Sequence, residues 1–337
     1  MAAKRIAVNG LGRMGKLVLR DLAAQGGLES VVLLNDAVGT AEQHAHLLEF
    51  DSVHGRWSAD IQSGESSVII DQFEITTLCH ERIDSLPLKS MEIDLVIDCT
   101  GVHKTVETLE PYFKAGVAQV LVACPVKDPV AANLVYGVNH HTYDPERHRI
   151  VTAASCTTNC LAPVIKVLHE NVGIRHGSIT TLHDVTNTQT LVDRPARDLR
   201  RARSALNSLI PTTTGSATAI ALIYPELVGK LNGHAVRVPL LNASLTDCVF
   251  EMERAVDRDE LNRLFEDAAA GELSGSLGYE SRPLVSADYV NDSRSAIIDG
   301  LSTMVVNGTQ AKVYAWYDNE WGYACRLGDV ARLMCSS

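Results

Sequence analysis

A chain of 337 residues is long enough for two domains, each with a core of its own. Its composition, 46% hydrophobic and 21% charged, is that of a globular protein; a formal charge of -11 argues against nucleic-acid or membrane-surface binding, which needs clustered Lys and Arg. No apolar run approaches the ~20 residues of a membrane span, the N-terminus lacks a secretory leader, and eight cysteines suit a reducing compartment, so a cytoplasmic location is expected.

Residues 5–9 read as a short strand, followed at once by Gly10-Leu11-Gly12-Arg13-Met14-Gly15 and by a helical face of Leu17, Val18 and Leu22. Strand, Gly-x-Gly-x-x-Gly and helix in that order form a dinucleotide fingerprint. The first glycine permits a tight turn, the second lets backbone approach a pyrophosphate, and the third lets the helix pack on the strand. The next apolar strand, 30–35, runs into Asp36. A carboxylate there accepts hydrogen bonds from adenine-ribose hydroxyls and repels a 2′-phosphate, favouring NAD over NADP. Segment 66–78 reads as an antiparallel hairpin, and 94–99 and 119–124 as buried strands. With helices between them, residues 1–155 are expected to form a Rossmann-type doubly wound parallel sheet of the α/β class.

The apolar run 149–154 then leads into Ser155-Cys156-Thr157-Thr158-Asn159-Cys160, after which Leu161, Val164, Ile165 and Leu168 recur on one helix face. Cys156 therefore sits at a strand-to-helix turn, where free amides and the helix dipole favour a thiolate. Two plainer readings stand beside this one. Cys156 could be buried and inert, or could pair with Cys160 as half a metal site, although no second ligand pair lies at a matching spacing.

From about residue 175 the texture changes. Alternating strands at 177–183, 235–238, 243–252 and 305–316 predict an α+β domain with a mostly antiparallel sheet and helices such as 257–270 on one face. The polar, basic stretch 184–215 reads as a long functional or interface loop. His183, at the end of a strand, is a candidate base for Cys156 if the two are adjacent in space. The run 197–203 is either the solvated face of a short helix or, together with Arg237, an anion clamp. Pro211-Thr212-Thr213-Thr214-Gly215 offers hydroxyls at a helix start, the chemistry of a phosphate cradle. A final helix is expected from Trp321 through Val330 and Leu333.

Several of these segments, Asn9-Gly10-x-Gly12-Arg13-x-Gly15, Ala154-Ser155-Cys156-Thr157-Thr158-Asn159-Cys160, Asp198-Leu199-Arg200-Arg201-Ala202-Arg203, Ile210-Pro211-Thr212-Thr213-Thr214-Gly215 and 316–323, resemble phosphorylating glyceraldehyde-3-phosphate dehydrogenases. The likeness runs in order along nearly the whole chain. It implies a cofactor domain of 1–155 completed by 320–337, a catalytic domain of 156–319, NAD as cofactor, no metal, and a homotetramer in which the 184–215 loop reaches towards a neighbouring subunit. It further implies that Cys156 attacks the aldehyde of glyceraldehyde 3-phosphate while His183 keeps the thiol ionised and moves the proton. Ser155, Thr157, Thr214 and Gly215 would surround the attacking inorganic anion, and Thr186, Arg201 and Arg237 would hold the substrate's own phosphate. Gly10, Gly12 and Gly15, with the Arg13 and Met14 backbone, would meet the pyrophosphate. Asp36 would meet the adenine ribose, Arg82 the adenine side, and Asn319 the nicotinamide amide.

The departures from that pattern are informative. After His183 the chain reads Asp184-Val185-Thr186-Asn187-Thr188-Gln189 where Ser-Tyr-Thr-Asn-Asp-Gln is usual. Thr218 replaces a usual Lys, Arg194 a common Leu, and Ala123 a frequent Ser. With the stretch 46–57, these features resemble the subgroup associated with bacterial arsenic resistance, in which arsenate, a near-isostere of phosphate, is the attacking anion. The alternatives are an erythrose-4-phosphate dehydrogenase and, in another class, a non-catalytic interaction protein retaining the fold.

Overall fold

The computed structural model describes residues 4–336, and the chain divides into two compact units. The first contains the residues up to 136, with 140–155 and those from 324 onward; the second contains 137–139 and 156–323. The later division between the units falls at 323/324, inside the first turn of the last helix.

The first unit carries β1 (Ile6–Asn9), α1 (Arg13–Ala24), β2 (Val31–Asp36), α2 (Ala41–Glu49), β3 (Ile61–Ser63), β4 (Ser67–Ile70), β5 (Phe73–Cys79), β6 (Leu95–Asp98), α3 (Val106–Lys114), β7 (Gln119–Val122), β8 (Ala131–Asn133) and β9 (Ile150–Thr152). They form one sheet in the order β3-β4-β5-β2-β1-β6-β7-β9-β8, parallel except for the β3-β4-β5 meander. β1, β6, β7 and β9 are buried along their whole length, as strands covered on both faces must be. Leu33, Val96, Leu109 and Tyr112 belong to one core cluster under α3. Helices α2 and α3 start where Thr40 and Thr105 accept hydrogen bonds from the amides three residues on. The chain leaves β1 for β2 on one side, and β6 lies on the other, so the strand order reverses at β1. Such a switch point, at the carboxyl ends of the strands, is where open α/β sheets bind ligands.

The second unit carries α4 (Cys156–Asn171), β10 (Ile174–His183), β11 (Ile210–Thr213), α5 (Ser216–Ile220), β12 (Leu231–Arg237), β13 (Ser244–Met252), α6 (Arg258–Ala270), β14 (Leu277–Glu280), β15 (Ala296–Asp299), β16 (Met304–Val306) and β17 (Gln310–Tyr317). The sheet order is β11-β12-β10-β13-β17-β15-β14, with β16 on β17. It is mostly antiparallel, although β12 runs parallel to β10 and β14 to β15. α4 is buried over most of its length and packs against α5, α6 and the sheet. The last helix, α7, spans Trp321–Ser336.

Two expectations need correction. The single strand expected over 305–316 is a hairpin, because Asn307 and Gly308 adopt left-handed φ values of 51° and 75° and turn the chain between β16 and β17. The loop expected over 184–215 ends sooner, since Ile210–Thr213 joins the sheet edge beside β12.

Candidate active site

In the first unit, the loop after β1 is shaped by what a side chain there would strike. Gly10 has φ +95°, and a Cβ on it would lie 2.5 Å from the Thr100 amide at the end of β6. A Cβ on Gly15 would lie 1.9 Å from the Gly10 carbonyl, whereas one on Gly12 would meet nothing. The backbone at Gly12 is therefore open to an approaching group. α1 starts there with no side-chain cap and no acidic residue in its first turn, leaving amides and the positive dipole end for an anion. Asp36, at the end of β2, accepts hydrogen bonds from the Leu11 amide at 2.6 Å and the Val38 amide at 3.1 Å. Its carboxylate is thereby fixed at the edge of the same loop. Arg13 turns its guanidinium onto Asp51, at 2.5 Å, and keeps its backbone at the helix start beside Met14. Arg82, by contrast, is exposed and paired with Asp84. Glycines, an uncapped helix start and a ribose-competent carboxylate fit a dinucleotide.

In the second unit, Cys156 is the first residue of α4, so its sulfur lies at the positive end of the helix dipole. The turn before it contains Ala154 at φ 53°, a left-handed conformation that costs a non-glycine residue on the order of 1 kcal/mol or more. Ser155 completes that turn. The Cys156 Sγ lies 3.6 Å from Nε2 of His183, the last residue of β10. Burial pushes the Cys156 thiol up, but its hydrogen bond to His183 and the imidazolium charge outweigh that, and the thiol titrates below its ordinary value. Burial pulls His183 down, yet its hydrogen bonds to Asp184 and Cys156 carry it up to about 9. Both shifts describe one thiolate–imidazolium pair.

Cys160, one turn further along α4, behaves differently. It is fully buried, donates to Thr246 Oγ1 at 3.6 Å, and is pushed up to about 12 by burial. It is a packed thiol with no role as a nucleophile at neutral pH.

Arg237 and Thr157 adjoin this pair. Arg237, at the end of β12, points Nη1 at His183 Nδ1 (2.7 Å) and donates to the Asp184 carbonyl (2.9 Å). Its Nε is buried without a hydrogen-bond partner, an unfilled donor that an anion would satisfy. Arg201 donates to Thr212 Oγ1 through Nε and Nη2 and to Thr188 Oγ1 through Nη1, and Thr188 Oγ1 is 3.0 Å from Thr186 Oγ1. Thr186, Arg201 and Thr212 are thus linked by hydrogen bonds, with Arg201 near enough to Arg237 for their charges to interact. Thr214 bonds Ser216 and Gly215 caps α5, so these two also lie at a helix start. Thr157 Oγ1 is 4.0 Å from Cys156 Sγ and 3.0 Å from the buried Tyr317 hydroxyl, which also meets Thr181 at 2.8 Å.

Asn319 is held by two partners. Its Nδ2 donates to Asp184 Oδ2 at 2.8 Å, and its Oδ1 accepts from Ser244 Oγ at 3.0 Å. Asp184, Ser244 and Tyr317 were not legible as site residues from spacing. Adjacency to His183 was the available signal for Asp184, and membership of the 316–323 motif the signal for Tyr317.

A doubly wound sheet with a dinucleotide-type glycine loop, and a second unit that presents a thiol beside a histidine, fit the class of NAD-dependent dehydrogenases. Comparison with known proteins narrows the class. Residues 4–106 match the model of the glyceraldehyde 3-phosphate dehydrogenase NAD binding domain, and 155–319 match that of the C-terminal domain. The chain is 58% identical to glyceraldehyde-3-phosphate dehydrogenase 3 of Nostoc sp. over 99% of its length and 98% of that protein. It is 45% identical to the glyceraldehyde-3-phosphate dehydrogenase of Pseudomonas aeruginosa over 99% and 98% of the two chains, and 44% identical to that of Geobacillus stearothermophilus over 99% of each. The chain belongs to the glyceraldehyde-3-phosphate dehydrogenase family, and its cofactor is NAD.

Proposed function

We propose that the protein oxidises glyceraldehyde 3-phosphate through a thioester on Cys156 and transfers the acyl group to inorganic phosphate, giving 1,3-bisphosphoglycerate. The observation that carries this reading is the pairing of Cys156 Sγ with His183 Nε2 at 3.6 Å, beside an arginine with an unfilled buried donor. The relatives' names supply the aldehyde.

The proton accounting follows from that pair. The Cys156 thiolate adds to the aldehyde carbon; the carbon–oxygen π pair moves to oxygen, which takes the Nε2 proton, leaving a thiohemiacetal and a neutral His183. Bound NAD would supply the hydride acceptor for that carbon. His183 Nε2 meanwhile takes back the hydroxyl proton as the carbonyl re-forms, giving the thioester and the imidazolium. An oxygen of inorganic phosphate then attacks the thioester carbonyl, and the carbon–sulfur bond breaks to release the acyl phosphate and restore the thiolate, which His183 stabilises. Ser155, Thr157, Thr214 and Gly215 are assigned to the attacking anion, and Thr186, Arg201 and Arg237 to the substrate phosphate. The glycine loop, Arg13, Met14 and Asp36 are assigned to the pyrophosphate and ribose of NAD, Arg82 to the adenine side, and Asn319 to the nicotinamide amide. The bonds of Asn319 to Asp184 and Ser244 leave it oriented before any ligand arrives.

Phosphate and arsenate are tetrahedral oxyanions of nearly equal size, so both enter the proposal as acyl acceptors. Arsenate would give 1-arseno-3-phosphoglycerate. Thr188 standing where the family pattern has an acidic residue, hydrogen-bonded to Arg201, favours a site more receptive to anions. A homotetramer is the proposed assembly, supported by the exposed apolar side chains that the 190–210 stretch displays, among them Leu199 at 81% and Val192 at 73% exposure. Eight free cysteines support a cytoplasmic location.

The test is the initial rate of NADH formation with glyceraldehyde 3-phosphate or erythrose 4-phosphate, each with phosphate, arsenate or neither. A clear preference for the three-carbon aldehyde, dependent on an oxyanion, is expected. An equal or better rate with the four-carbon aldehyde and no oxyanion requirement would overturn the proposal. Size-exclusion chromatography with light scattering tests the tetramer.

A further inference from the structure

Asp184 places a carboxylate against His183 on the ring edge away from the thiol. Its Oδ1 lies 2.6 Å from His183 Nδ1, and the residue is 1% exposed. Burying an isolated carboxylate is costly, so its remaining lone pairs must be met. Oδ2 accepts from Asn319 Nδ2 at 2.8 Å, the single Ser244 Oγ proton is shared between Asp184 Oδ1 at 3.2 Å and Asn319 Oδ1 at 3.0 Å, and the Asp184 amide donates to Ser244 Oγ at 3.1 Å. The carboxylate is thus locked in place by β13 and by the segment after β17, with its free valence aimed at the imidazole.

The charges around the ring come from four elements. Cys156 on α4 faces Nε2, Arg237 on β12 approaches Nδ1 at 2.7 Å, and Tyr317 on β17 stands edge-on with ring centroids 6.1 Å apart. Asp184 follows β10. Arg237 and Asp184 make incompatible demands on Nδ1, since an arginine N–H needs a bare nitrogen and a carboxylate needs a protonated one. Arg237 Nη1 has an alternative acceptor in the Asp184 carbonyl at 2.9 Å, and that carbonyl also lies 3.0 Å from His183 Nδ1, so Nδ1 faces two acceptors of one residue and keeps its proton. Of the two, the carboxylate is the one that brings a full negative charge to the ring.

We propose that Asp184 is a positioning residue that turns the Cys156–His183 pair into a three-membered relay. It accepts the Nδ1 proton, leaves Nε2 to exchange its proton with sulfur and substrate oxygen, and stabilises the imidazolium each time it forms. The same carboxylate holds Asn319, so the orientation of the base and of the nicotinamide-binding amide is set by one group. This inference rests on the reading of Cys156 and His183 as nucleophile and base.

The experiment compares the full-length protein with Asp184→Asn and Asp184→Ser, following both kcat/KM and the rate of Cys156 alkylation by iodoacetamide from pH 5 to pH 10. In Asp184→Asn the side-chain amide donates to Nδ1, forcing the proton onto Nε2 and opposing the imidazolium. The alkaline limb of the kcat/KM profile, where the imidazolium is lost, is expected to move down by about one to two pH units in both variants, with a roughly 10-fold or greater loss of kcat/KM, while alkylation, which needs only the thiolate, persists at alkaline pH. Asp184→Ser also removes the carboxylate, so it carries the same prediction if the asparagine variant does not fold. An alkaline limb at the same pH as in the unaltered protein, with Cys156 still alkylated stoichiometrically, overturns the role of Asp184 and leaves the nucleophile standing. Failure of Cys156 alkylation to abolish activity in the unaltered protein overturns the underlying reading instead.

Discussion

The hydroxyl of Tyr317, on β17, lies 3.0 Å from Thr157 Oγ1, the residue immediately after the thiol. The same hydroxyl meets Thr181 on β10, two residues before His183. A single buried tyrosine therefore pins the helix bearing the nucleophile and the strand bearing the base to a common point. Tyr317→Phe removes both bonds and leaves two buried hydroxyls short of a partner. It should lower stability by about 2–3 kcal/mol, a fall in Tm of several degrees by scanning calorimetry, and reduce kcat more than KM.

Cys156 and Cys160 sit one helical turn apart, yet only the first should react. Brief iodoacetamide treatment at neutral pH, followed by peptide mass spectrometry, should find Cys156 carrying label before Cys160 carries any. Cys156→Ser should abolish NADH formation while NAD still binds, as read by fluorescence titration. Cys160→Ser should keep most of the activity.

His183 also links stability to pH. Its pKa is raised from about 6.5 to about 9 in the folded protein, so the folded state binds its proton more tightly than the unfolded chain. That contribution is fully present below pH 6.5 and is lost as pH rises through 9. In His183→Gln the slope of Tm between pH 6.5 and 9 should flatten relative to the unaltered protein. An unchanged slope would assign that dependence to other groups.

Asp36 combines two tasks, since its carboxylate braces the glycine loop through the Leu11 amide and is the group assigned to the ribose. Asp36→Ala should weaken NAD by about 10-fold, the loss of one or two charge-assisted hydrogen bonds, and should shift the NAD-to-NADP preference towards NADP. Equilibrium titration with each cofactor measures the ratio, and an unchanged ratio counts against the ribose assignment.

What the sequence made legible was whatever depends on local backbone chemistry. Gly10 and Gly15 announce themselves because any larger residue would collide with Thr100 or with Gly10 itself, and the order of strand, glycines and helix is continuous in the chain. Cys156 at a helix start was legible for the same reason. The pairing of Cys156 with His183 was not, because 27 residues separate them and their contact depends on how β10 packs beside α4. The network of Asp184, Ser244 and Asn319 draws on three chain segments that meet only through sheet register, which no spacing encodes. The missed turn at Asn307-Gly308 is of another kind. Asn-Gly is a strong hairpin signal in its own right, and the apolar alternation on either side masked it.

Ala154 carries the last consequence. A methyl side chain held at φ 53°, one residue from the end of the turn into α4, narrows the substitutions that the position can accept to those comfortable with left-handed backbone. A saturation library at this position, sorted for activity, should return glycine, asparagine and aspartate and discard valine, isoleucine and threonine, although none of these touches the substrate. One filter on sequence drift at the site would then fall on a residue without a functional group, and would be enforced by torsion alone.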